Sequence, residues 1–166
     1  MKIKLLLISI LVYNVALSQT IIKTKNYGIL EFKEFDYGLA SVVSETKAKL
    51  DKSPTGNRNW IEGFEIVKVT DSIPLFPKTH FGSIYVINSK NTMELETEIE
   101  WIFPQKIIND KGKSFKTLKY KTVKTTNNFT SSSYGLDEPY ELVKGKWILN
   151  IFIENKIIYT KTFILF

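Results

Sequence analysis

Between Met93 and Phe103 the chain reads MELETEIEWIF, and from Leu95 onward the residues alternate strictly. Leu95, Thr97, Ile99, Trp101 and Phe103 share one parity, and Glu94, Glu96, Glu98 and Glu100 the other. A period of two fits a strand with one buried and one wet face and cannot be laid on a helix, whose faces recur about every 3.6 residues. The same period governs residues 140–166, YELVKGKWILNIFIENKIIYTKTFILF. There Trp147, Leu149, Ile151 and Ile153 share a face, Asn155-Lys156 reads as a two-residue turn, and the return strand Ile157 to Phe166 completes the sheet.

Punctuation elsewhere is equally β-like. Asn109-Asp110-Lys111-Gly112 has hairpin chemistry, and TLKYKTVKT (117–125) follows it as a return strand. With Lys111-Gly112 as the turn, Glu100 falls opposite Val123 and Ile102 opposite Lys121, so that the lysines reach the glutamates diagonally. Residues 27–44 hold one or two strands, with Gly28 and Gly38 at bends or where another backbone comes close. Pro74 and Pro77 interrupt the alternation, which resumes over Phe81 to Ile87. The polar segment Glu45 to Asn59, with Pro54-Thr55-Gly56, reads as a surface loop that begins with a short helical turn through Thr46 to Lys49. Asn127 to Gly135 reads as a second polar loop. These elements amount to an all-β fold, an antiparallel β-sandwich of about seven to nine strands.

The chain has no cysteine, which removes disulfides, lipid attachment through a thiol and thiolate zinc sites. Residues 1–18 read as a secretory signal peptide: Lys2 and Lys4, a short apolar run from Leu5 to Val15, and small residues Ala16 and Ser18 before Gln19. The expected division is a signal peptide over 1–18 and one β-sandwich domain over 19–166. Cleavage after Ser18 places the product in the periplasm or outside the cell, with no stable membrane span. The formal charge of +6 includes Lys2 and Lys4, and only Arg58 among the 23 basic residues is arginine. Nucleic-acid sites lean on the arginine fork, so nucleic acid is a poor partner for this chain.

Candidate chemistry is sparse. His80 is the single histidine, too few for a triad or a histidine metal site, and it is expected at an exposed or half-buried turn. The glutamate row has carboxylates two residues apart on one strand face, a spacing that carboxylate-pair hydrolysis can use. It also suits a solvated face opposite lysines. Trp60, Phe129, Tyr134 and Tyr140 lie in or beside the polar segments and are the candidate contacts to a ligand or partner, although Trp60 and Tyr140 could equally close the ends of the sandwich. No motif implies a cofactor or a metal.

Three short stretches carry a resemblance: Phe35-Asp36-Tyr37-Gly38-Leu39; Ile73-Pro74-Leu75-Phe76-Pro77 with His80-Phe81-Gly82; and Glu141 to Trp147. Together they resemble an uncharacterised family of exported bacterial proteins, a domain of unknown function with an expected immunoglobulin-like fold. Lys144 stands where that pattern has proline, and Asn155-Lys156 where it has a glycine-containing hairpin. The resemblance implies the fold and carries over no catalytic residue. The expected function is an exported non-catalytic module contacting a cell-envelope protein or glycan. A carbohydrate-binding module using the loop aromatics is the alternative, and a hydrolase built on a carboxylate pair is a third.

Overall fold

The structure is a computed structural model and describes residues 19–166. The signal-peptide expectation for residues 1–18 lies outside them. Twelve strands are found among the described residues: β1 (Gln19–Lys23), β2 (Ile29–Ser41), β3 (Ser44–Lys49), β4 (Asn57–Glu62), β5 (Glu65–Val69), β6 (Ser72–Ile73), β7 (His80–Asn88), β8 (Glu94–Ile108), β9 (Ser114–Thr125), β10 (Phe129–Gly135), β11 (Gly145–Ile153) and β12 (Lys156–Leu165). One sheet runs β1-β2-β7-β10, with β5 also paired to β2; the other runs β6-β12-β11-β8-β9. All pairings are antiparallel except the two-residue β6 beside β12.

The strand alternation sets the core. Leu95, Thr97, Ile99, Trp101 and Phe103 of β8 are all buried, as are Trp147, Leu149, Ile151 and Ile153 of β11. Opposite them, β2 and β7 contribute Leu30, Phe32, Phe81, Tyr85 and Ile87. Phe81 is the hub: its ring centroid lies 5.4 Å from Trp101, 5.9 Å from Trp147 and 5.2 Å from Phe163. Such offset and edge contacts add to the area buried by each ring.

Twelve strands exceed the seven to nine expected, and the difference lies in segments without apolar alternation. Glu45 to Asn59 is no loop with a helical turn: β3 and β4 form a separate two-stranded hairpin. Asn127 to Gly135 is no loop either, because β10 pairs along β7. Its buried face carries Ser132, whose hydroxyl meets that of Tyr85 at 2.9 Å, so a hydroxyl pair stands where a hydrophobic residue would have signalled a strand.

The register expected for β8 and β9 is also corrected. Glu98 lies opposite Lys121 and Glu100 opposite Lys119. The ladder slips between Ile102 and Ile107, around Pro104, which has no N–H to donate. Lys116 donates to the carbonyls of Phe103 and Pro104 at 2.8 and 3.0 Å, satisfying groups the slip has freed. The last hairpin turns at Glu154-Asn155, one residue earlier than expected, with φ of 49° and 62°. Those two positive values define the turn type favoured between twisted strands.

Candidate functional site

The β3–β4 hairpin leaves the sandwich after β2 and is held to it mainly by side chains. Its strands alternate, so Glu45, Asn59 and Ile61 share one face while Thr46, Ala48, Arg58 and Trp60 share the other. From the first face Glu45 accepts a hydrogen bond from His80 Nε2 at 2.8 Å. Asn59 Nδ2 donates to Glu45 at 2.7 Å and to Asp137 at 2.8 Å, and Lys78 Nζ donates to Asp137 at 3.0 Å. At the tip, Asn109 and Lys113 donate to the carbonyls of Pro54 and Asp51. Arg58 reaches from the second face to Thr122 at 3.0 Å, its guanidinium 4.2 Å from the Trp60 ring and 4.6 Å from the Tyr120 ring.

Beneath the hairpin is a cavity of about 60 Å³ whose lining includes Arg58, His80, Trp101, Tyr134, Asp137 and Glu141. His80 is therefore no turn residue: it opens β7, is 7% exposed, and is roofed by the hairpin, a long-range contact that sequence spacing does not reveal. At the cavity floor Glu141, 1% exposed, accepts from the Tyr134 hydroxyl at 2.6 Å and from the backbone N–H groups of Asp137 and Glu138 at 3.0 Å. Burial pushes its carboxyl up to about 7 despite those bonds. Two buried side-chain nitrogens among the described residues have no protein partner, His80 Nδ1 and Trp101 Nε1, and both residues line this cavity. Among the described residues no group of three His, Cys, Asp or Glu side chains is placed to hold a metal.

The four aromatics singled out in the sequence are not brought together. Tyr134 is 6% exposed and belongs to the core, so it offers no surface contact. Tyr140, on a single 3-10 turn (Pro139–Glu141), is half-buried beside Pro54. Trp60 is 54% exposed on the hairpin, with Arg58 over its ring, and does not close an end of the sandwich. Phe129 is 65% exposed at the start of β10 and packs edge-on against Phe35, itself 60% exposed, with centroids 4.8 Å apart and planes 66° from parallel. Phe35, named only within the resemblance motif, is not among the candidate contacts of the sequence because it sits among alternating residues. It is the extra residue of a bulge, for Glu34 pairs with Tyr85 and Asp36 with Ile84. Ile61, Phe64 and Ile84 extend the pair into a shallow apolar groove.

The glutamate row forms ion pairs and an amide ladder. Lys119 bonds Glu98 at 2.8 Å and Lys121 bonds Glu96 at 2.7 Å, both diagonally, while Asn150 donates to Glu100 at 2.9 Å. This is a solvated face on which lysines and an amide occupy the carboxylates of Glu96, Glu98 and Glu100. Among the described residues no helix is long and apolar enough to cross a membrane.

Comparison with known proteins agrees with the architecture. An immunoglobulin-like protein from Pseudomonas aeruginosa superposes with a TM-score of 0.58 at 17% identity, covering 90% of this chain and 97% of its own, a likeness of fold. A β-D-glucoside glucohydrolase from Trichoderma reesei aligns at a TM-score of 0.35 and 10% identity over 81% of this chain and 19% of its own, too loosely to carry an argument. No curated protein matches in sequence. The family model described as a domain of unknown function (DUF3859) matches residues 18–165, nearly the whole length, and the chain belongs to that family.

Proposed function

We propose that this chain is an exported, non-catalytic immunoglobulin-like module that docks onto a protein of the cell envelope through the outer face of the β2-β7-β10 sheet. The exposed pair Phe35 and Phe129 carries this reading. A bulge in mid-strand sets one ring beside the other at the surface, and three further apolar side chains continue the groove. Contiguous apolar surface of this kind marks protein contacts, and buried aromatic anchors dominate such interfaces. The two rings are far from coplanar, whereas stacking on a sugar asks for a flat strip. That geometry favours a protein surface over a glycan.

Export rests on the charged and apolar pattern of residues 1–18. The non-catalytic assignment is supported by the pairing of the glutamate row with lysines and by the tethering of His80 to Glu45. Replacing both Phe35 and Phe129 by serine is expected to leave the unfolding free energy within about 0.5 kcal/mol of the parent, as for surface substitutions. The same variant is expected to lose retention on an envelope fraction, and prior protease treatment of that fraction is expected to abolish retention of the parent. Retention of the double variant would overturn the proposal, and retention that survives protease would move the partner to a glycan.

A further inference from the structure

The cavity under the hairpin has a donor and an acceptor with nothing in the protein to satisfy them. Trp101 is fully buried and its indole nitrogen can only donate. His80 Nε2 lies 2.8 Å from the Glu45 carboxylate, which makes Nε2 the donor there, and in the tautomer with its single ring proton on Nε2 the other nitrogen, Nδ1, is an acceptor. Buried polar groups in folded proteins are nearly always hydrogen-bonded, so two orphans lining one cavity point to a common occupant.

The chemistry of the lining narrows that occupant. A cation is disfavoured by the Trp101 N–H and by the positive charge of Arg58, a lining residue. An anion is disfavoured by Asp137 in the same lining. A group that donates and accepts through one atom is a hydroxyl. The volume of about 60 Å³ agrees, since it exceeds the roughly 10–15 Å³ that a single water needs.

We propose that the cavity beneath the β3–β4 hairpin is a hydroxyl-binding site, in which one oxygen donates to His80 Nδ1 and accepts from Trp101 Nε1–H. That oxygen is a sequestered water or the end of a small alcohol, and both present the same group to the two nitrogens. Gly135 forms part of the wall. A Cβ at this position would lie 2.7 Å from His80 Cε1 and 2.9 Å from Nδ1, so a methyl group there displaces the imidazole from its place.

Indole resonances of ¹⁵N-labelled protein test this directly. The three tryptophans are assigned with Trp60→Phe, at an exposed site, and with the Trp147 indole N–H donating to the Val143 carbonyl. The Trp101 indole proton is expected to show a cross-peak to a long-lived water. Methanol or ethylene glycol is expected either to leave that cross-peak intact, which identifies water as the occupant, or to replace it with a saturable shift, which identifies an alcohol. Gly135→Ala, checked for an unchanged core spectrum, is expected to abolish whichever signal is seen. Absence of both signals, their persistence in Gly135→Ala, or a saturable shift with sodium acetate but not with alcohols would overturn the site.

Discussion

Glu141 places a carboxyl where solvent does not reach, and its three hydrogen bonds only partly offset the loss of hydration. Burial raises its folded pKa to about 7 from the ordinary 4.5. Between those values the folded state holds a proton that the unfolded chain has released. Stability from this group is therefore present below about pH 4.5 and is lost as pH rises toward 7, by about 3 kcal/mol. Glu141→Gln keeps an acceptor for the two backbone N–H groups and lets the Tyr134 hydroxyl turn to accept. Denaturation across pH 4 to 8 is expected to show the variant gaining on the parent as pH rises, with the difference levelling above about 7. Trp147 tests packing. Fully buried against Phe81, Phe103 and Tyr134, with its N–H on the Val143 carbonyl at 2.9 Å, it is expected to cost about 3 to 5 kcal/mol when replaced by alanine. A midpoint close to the parent's would mean that the ring does not fill the core.

At the scale of elements, β12 joins β11 along its whole length and carries β6 at its end. Removing Lys161 to Phe166 strips Phe163 and Leu165 from the core and leaves β11 partners unpaired, so the shortened chain is expected to be unfolded by circular dichroism. β8 and β11 were legible in the sequence because each has one apolar face. β3, β4 and β10 were not, since they lie at the surface or answer polar with polar, as Ser132 does Tyr85. Gly38 suits a bend or a place where another backbone approaches, and the second applies: a Cβ there would lie 2.1 Å from the Lys68 carbonyl oxygen in β5. The β8–β9 register was misread because a slip at Pro104 leaves no trace in alternation on either side of it. The same limit hid the site: Glu45, Asn59, His80, Trp101 and Asp137 come from distant segments, and only pairing of the sheets gathers them. Of the named aromatics, Phe129 alone joins the groove proposed for docking, and its neighbour Phe35 needed the bulge to be seen.

For the whole molecule, the proposed export makes a prediction about covalent structure: mass spectrometry of the exported form is expected to find Gln19 as the first residue. A product retaining Met1 would count against processing after Ser18. The order of strands in the two sheets bears on how such a product reaches its fold. β2 pairs with β7, setting Phe32 opposite Ile87, and β8 pairs with β11, setting Trp101 opposite Leu149. Each central partnership closes a loop of several intervening segments before any ladder energy is gained, and chains with such distant pairings fold in milliseconds to seconds, not microseconds. In a chain exported as proposed, a slow search of this kind would delay the moment at which the apolar strands find one another.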